Sequence, residues 1–299
     1  MIARRLLLAA ALALGTAAAP APQIALTFDD LPTHGPLPAN TTRTAIAQQI
    51  IAALKDAHVR HVWGFVNGRG LEREPDTAGV LEAWRAAGFP LGNHGWSHLG
   101  LDQVDAPAFL EEVDRNAPLL SSLMKGQDWR WLRFPYLAEG RDPARQAVRA
   151  GLAERGYRIA GVTMSFGDFL WNDAYARCVA TGDAAAITRL EESYLAAASE
   201  TAKSSRQMAV TTLGHDIPHV LLMHLGAFDA RMLPRLLAQY RREGVRFVTL
   251  EQATRDPFYA ADLDPRRDPT PTLEARMAAR GTPMMETTRY APMLSGMCR

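Results

Sequence analysis

The sequence predicts an α/β fold, a distorted (β/α) barrel with about seven parallel strands in a single domain. Two observations predict it. Short apolar runs alternate with longer helix-patterned segments from Gln23 to Thr249, the rhythm of parallel strands joined by crossover helices. Polar motifs recur at or just after the C-terminal ends of those runs, the edge on which parallel α/β architectures assemble their sites. No internal repeat or low-complexity linker divides the chain, so closure of one barrel is favoured over two domains.

The elements follow in order. The first strand is read at residues 23–28 and the first helix at 42–57, where Ile46, Ile50, Ile51 and Leu54 recur at helical spacing and Thr41 or Thr42 offers an N-cap. A strand at 61–66, a helix at 78–87 and a strand at 90–92 come next. Helices at 106–124, 143–155 and 184–203 lead to strands at 130–134, 158–162 and 220–223, and a helix at 231–243 precedes a last strand at 246–249. Gly88, Gly156 and Gly244 follow three of the helices, where a left-handed stop is wanted.

The chain has 299 residues, 47% hydrophobic and 22% charged with a net charge of +1. That near-neutral globular composition gives no reason to expect nucleic acid or a membrane surface as partner. Arg4 and Arg5, an apolar run over 6–14 and small residues over 15–19 have the order of a secretory signal peptide. The run is too short to span a bilayer, which takes roughly 20 apolar residues. The expectation is therefore export to a periplasm or beyond, with residues 1–19 removed, a catalytic domain over 20–261 and an extension over 262–299. The two cysteines, Cys178 and Cys298, suit that compartment: one disulfide would tie the C-terminus to the middle of the chain.

The chemistry concentrates in a few places. Thr27-Phe28-Asp29-Asp30 ends the first apolar run, and two adjacent carboxylates there are costly unless a cation holds them. His94 and His98 form an H-x3-H pair in a segment with Gly92, Gly95 and Gly100, which favours a loop and lacks the Glu of a metalloprotease helix. Alone, the pair also suits hydrogen-bonded loop residues, and Asp30 alone suits a turn. Together the three form a tripod for zinc or a similar divalent ion, with Asp29 free to act as general base. Arg133 is placed to orient a carboxylate or to form a rim salt bridge. His224 ends a buried run, so it is either a satisfied core histidine or a general acid, with Asp168 able to keep it charged. His34 follows the Asp pair as a loop histidine close enough to touch substrate, and Trp96 is a candidate substrate wall. Trp129 and Trp131 are assigned to packing, and His58, His61, His215 and His219 to structural or exposed positions.

With those residues the chain resembles the polysaccharide deacetylases of the chitooligosaccharide-deacetylase type, carbohydrate esterase family four. The ordered matches are Thr27–Asp30, His94–His98, Arg133–Tyr136, Asp168-Phe169 and Leu222-Met223-His224. The resemblance implies Asp29 as catalytic base, Asp30, His94 and His98 as metal ligands, and Arg133 as the group orienting Asp29. It further implies that the Tyr136 N–H helps hold the oxyanion, that His224, tuned by Asp168, is the general acid, and that Leu222 lines the acyl pocket. The implied substrate is an N-acetylated glycan and the implied cofactor a divalent metal, zinc by its ligand set. An O-acetyl ester, a non-sugar amide and a catalytically silent carbohydrate-binding relative stand as alternatives. Two departures bear on the pocket: Gly95 replaces a Ser or Thr of the histidine motif, and Phe169 stands in place of a Trp, with Trp171 nearby to fill its volume.

Overall fold

The computed structural model describes residues 21–282 and 289–299; the expected signal peptide lies outside them. Its centre is a seven-stranded, wholly parallel sheet of β1 (Gln23–Leu31), β2 (Trp63–Val66), β3 (Leu91–Asn93), β4 (Trp131–Leu132), β5 (Arg158–Ile159), β6 (His219–His224) and β7 (Arg246–Phe247). The spatial order is β5-β4-β3-β2-β1-β6, with β7 joined to the start of β1. Between β5 and β6 the wall is linked by a bridge from Met164 to Leu221. The result is the expected α/β barrel with fewer strands than the usual eight.

All seven expected strands are present, and β1 runs further than expected, through the Asp pair to Leu31. Thr42 is the cap of helix Arg43–Asp56, accepting from Ala45 N–H. Gly88, Gly156 and Gly244 take positive φ of 82°, 73° and 83° after their helices. The helix expected at 184–203 continues to Leu213, and the one expected to begin at 231 begins at Ala227. Helix Leu170–Thr181 was not expected from the sequence: the aromatic and polar residues around Asp168 hide its period.

The two faces of the strands separate cleanly, as a period of two requires. Ile24, Leu26 and Phe28 face outward into the large core under the helices, while Ala25 faces a smaller interior cluster with Trp63, Phe65, Trp131, Ala160 and Val220. Thr27 and Asp29 continue the inner face of β1. By the same alternation Leu222 and His224 follow Val220 inward, Arg133 follows Trp131, and His94 follows Gly92. Gly92 has to be glycine: an added Cβ would meet the Phe65 ring at 2.7 Å and the Trp131 carbonyl at 2.9 Å. Trp129 and Trp131 are buried, as expected.

The tail folds back on the barrel. Leu273 and Met277 of helix Leu273–Ala279 join the interior cluster. The last helix, Ala291–Gly296, lies beside helix Leu170–Thr181, where Arg177 donates to the carbonyls of Leu294 and Met297. There Cys178 and Cys298 form the expected disulfide. No helix among the described residues is long and apolar enough to cross a membrane.

Candidate active site

Strand register brings the site together at the C-terminal mouth of the barrel. Asp29 of β1 stands opposite His224 of β6 in the parallel ladder. Asn93 of β3 stands opposite Leu132 of β4, so the next residues, His94 and Arg133, leave their strands side by side. Each then takes a partner across the barrel.

Asp29 and Arg133 are both buried, and Arg133 Nη1 donates to both Asp29 oxygens at 3.1 Å. Its other nitrogens donate to the Thr27 hydroxyl (3.1 Å) and the Ala160 carbonyl (2.6 Å). Such saturation is what makes a buried guanidinium tolerable. Burial lowers the Arg133 pKa, and the Asp29 charge opposes that.

Asp30, His94 and His98 converge beside this pair. The Nε2 atoms of His94 and His98 lie 3.4 and 3.2 Å from Asp30 Oδ1, yet that oxygen is buried with no hydrogen-bond partner among the described residues. Three electron-rich atoms aimed at one point, one of them orphaned, are a donor set for a divalent cation. His94 is oriented for it, its Nδ1–H donating to the Arg133 carbonyl at 2.7 Å so that Nε2 is free. Burial outweighs the Asp30 charge at His98 and brings its pKa down to about 4, which keeps the imidazole lone pair available. Burial alone would raise Asp30, but the hydrogen bond from His34, the adjacent His94 imidazole and the charge of His224 hold it well below the ordinary carboxylate range.

His224 lies on the other side. Asp168, fully buried, accepts from the His224 Nδ1–H at 2.9 Å and from its backbone N–H at 2.6 Å. Burial disfavours the imidazolium, but Asp168 and then Asp30 and Asp29 more than compensate, and its pKa rises to about 10. Behind it, Asp229 is buried with Tyr194 Oη and Asn172 Nδ2 donating to its two oxygens, and burial next to Asp168 pushes its carboxyl up to about 8.

Tight backbone shapes this mouth. Asp30, His98 and Tyr136 have φ of 62°, 62° and 57°, a left-handed region that costs non-glycine residues about 1–3 kcal/mol. The turn after Arg133 is closed by Leu137 and Ala138 N–H donating to Phe134 and Pro135; Tyr136 N–H is not among its bonds. Tyr136 is 64% exposed, with its ring edge on His98 at 4.3 Å between centroids. Phe169 is 44% exposed and lies 5.4 Å from the His224 ring. Leu222 is nearly buried one inward position before His224.

His34, expected as a loop histidine near substrate, contacts Asp30 and His224 directly. Trp96 does not form the expected wall: the histidine loop turns its indole onto Gly68 and beneath the Arg115 guanidinium, 4.5 Å from the ring centre. The exposed aromatics at the mouth are Tyr136 and Phe169 instead. Trp171 is fully buried against Phe166 and Tyr194, with its indole N–H donating to Ser193, so it does not fill the position left by Phe169.

Several supporting residues were missed. Asn93, fully buried, donates to the Val113 carbonyl and Tyr157 Oη and accepts from Gly95 N–H and Asn116. Asn67 donates to the carbonyls of His94 and Gly95, and Glu112 accepts from the Ser97 N–H and hydroxyl. Together they brace the loop that Gly95 leaves without a side-chain hydrogen bond. The only available signal was Asn93 itself, an amide at the end of an apolar run directly before the first histidine.

Comparison with known proteins bears on the family and the fold. The polysaccharide deacetylase family model matches residues 16–155, which include the Asp pair, the histidine pair and Arg133 but end before Asp168 and His224. No curated protein matches the chain. Among solved structures, a polysaccharide deacetylase from Bacillus cereus is similar at 19% identity with a TM-score of 0.51, over 76% of this chain and 91% of that one. The peptidoglycan deacetylase PdaC from Bacillus subtilis is similar at 22% identity with a TM-score of 0.50, over 79% and 92%. A mutant with restored enzymatic activity of a pseudoenzyme from carbohydrate esterase family 4 gives 15% identity and a TM-score of 0.52, over 77% of this chain and 66% of its own length. At these identities the likenesses concern the fold. Over residues 16–155 the chain is thus similar to the polysaccharide deacetylase family, and its fold is like that of the carbohydrate esterase family 4 structures.

Proposed function

We propose that the protein is an exported, metal-dependent hydrolase that removes N-acetyl groups from amino-sugar-containing glycans. The observation that carries this reading is the pairing at the mouth of the barrel. A carboxylate held by a buried guanidinium and an imidazole held by a buried carboxylate flank the Asp30-His94-His98 group, one of two Asp-His-His groups at the mouth that share Asp30. A carbohydrate-binding protein without catalysis has no need of both pairs.

Asp30, His94 and His98 would hold the ion. When bound, it supplies Lewis-acid polarisation of an acyl carbonyl and a lowered pKa for water, and zinc suits the ligands. The chain's own residues do the rest. Asp29, oriented and charge-balanced by Arg133, takes the proton from the attacking water. Tyr136 N–H, free of the turn's own bonds, donates to the oxyanion that develops on the former carbonyl oxygen. The imidazolium of His224, kept charged by Asp168, gives its Nε2 proton to the departing amine as the C–N bond breaks. Acetate and a free amine result. Leu222 is placed to meet the acyl methyl, and Tyr136 and Phe169 offer flat surfaces to sugar rings.

The test is acetate release from N-acetylglucosamine oligomers and from peptidoglycan fragments by the chain lacking residues 1–19. It is run after chelation and again with zinc restored, beside Asp29→Asn. Zinc-dependent release that disappears in the variant is the expected result. No release from any glycan by zinc-loaded protein, with release from O-acetyl esters or small amides, would replace the substrate. Failure to bind zinc would overturn the reading.

A further inference from the structure

His34 lies outside the expected ligand, base and acid set, yet it touches two of its members. The chain turns back after Asp30 so that His34 Nδ1–H donates to Asp30 Oδ2 at 2.8 Å. The same ring stacks on His224, with 4.4 Å between centroids and 28° between planes. Its backbone is fixed from outside, where Arg43 Nη1 donates to the carbonyls of His34 (2.6 Å) and Gly35 (2.7 Å) and Arg43 Nε pairs with Glu74 at 3.2 Å. Gly35 takes φ +61°, a conformation that suits glycine and turns the chain away immediately afterwards.

The geometry points to His34 as a positioning residue that couples the metal-ligand carboxylate of Asp30 to the proton donor His224. Its N–H occupies Oδ2, which leaves only the orphaned Oδ1 turned toward His94 and His98. A hydrogen bond to the outer oxygen of a ligating carboxylate fixes its rotation, and losing such outer partners typically costs about 10–100-fold in metal affinity or activity. The stacked ring also limits rotation of His224 about its side chain. Asp168 holds Nδ1 from one side and His34 covers the ring face, so Nε2 stays aimed at the leaving group. This inference rests on the deacetylase reading for the role of His224, but its metal arm does not.

The experiment compares wild type, His34→Ala and His34→Asn. Zinc affinity is measured by chelator competition, zinc per chain by elemental analysis, and kcat and KM at saturating zinc. Metal-free thermal unfolding identifies any variant that fails to fold, and the Asn variant keeps the test open if the Ala variant does. His34→Ala is expected to weaken zinc binding about 10–100-fold while retaining one ion per chain. At saturating zinc its kcat is expected about 10-fold lower with KM nearly unchanged, the signature of a lost transition-state interaction. His34→Asn, whose amide can reach Oδ2 but cannot stack in the same way, should recover affinity without recovering kcat. Wild-type zinc affinity in both variants would overturn the inference. So would two ions in wild type and one in His34→Ala, because His34 would then be a ligand. If wild type hydrolyses nothing, the affinity series still decides the hold on Asp30, and the failure belongs to the deacetylase reading.

Discussion

Asp29 and Arg133 form a buried ion pair whose removal costs different amounts depending on what is left behind. Asp29→Ala strands a guanidinium inside the barrel and should destabilise the fold by about 3–5 kcal/mol, seen as a lower urea midpoint. Asp29→Asn keeps one acceptor for Arg133 Nη1 but not the charge, so it should destabilise the fold less than Ala does. It nevertheless should lower acyl hydrolysis about 100-fold or more, because an amide cannot take the proton. His224 makes a prediction about pH. In the metal-free protein its pKa rises on folding from 6.5 to about 10, with Asp168 as the leading favourable cause. A raised pKa means folding stabilises the charged form. That contribution is therefore complete below pH 6.5 and is lost as the pH climbs through about 10. Urea unfolding of chelated protein should show stability falling across that window, and Asp168→Asn should flatten the fall. In the loaded enzyme the same substitution should move the alkaline limb of kcat/KM to lower pH, since His224 must be protonated to act.

At the scale of elements, the histidine loop is held by the end of β3 rather than by its own hydrogen bonds. Asn93 uses both amide hydrogens and its carbonyl oxygen on four partners: Val113 and Asn116 of helix Ala106–Met124, Tyr157 just before β5, and Gly95 of the loop. Asn93→Ala should cost about 1–3 kcal/mol for each buried group left unpaired, and it should weaken zinc binding by loosening His94. Asn93→Asp, which keeps the acceptor but sets a buried carboxylate oxygen against the Val113 carbonyl, is expected to lose stability as well in parallel unfolding measurements. Gly92 is a second constraint on this strand. Its Ala variant would press on a backbone carbonyl that cannot yield, and about 1–3 kcal/mol of overpacking cost is expected in thermal unfolding.

For the whole molecule the decisive feature is how the two ends of the sheet are closed. Among the described residues the segment after β5 meets β6 at one bridge, Met164 to Leu221, and the C-terminal helices with Tyr259, Leu273 and Met277 complete the interior cluster. The disulfide then ties the last residues to helix Leu170–Thr181, across a sequence separation of 120. A cross-link of that span restricts the unfolded chain strongly. Cys298→Ser should therefore lower unfolding free energy by about 2–4 kcal/mol in urea, and reduction of the wild type should have the same effect.

The sequence alone determined the strands, their order as parallel crossovers, the disulfide partners and the identity of the ligand, base and acid candidates. Those properties are carried by local signals: apolar runs, glycine stops, and polar residues where an apolar run ends. It did not determine that Asp29 and His224 would be register partners, that Arg133 would grip Asp29 from β4, or that Trp96 would turn away from the mouth. Nor did it show that His34 would bridge Asp30 and His224, or reveal the helix after Asp168. The helix was hidden by its mixed aromatic and polar residues; the others depend on which strands are neighbours and on left-handed turns at Asp30, His98 and Tyr136. Such turns are held by contacts from residues far away in the chain, and no local pattern encodes them.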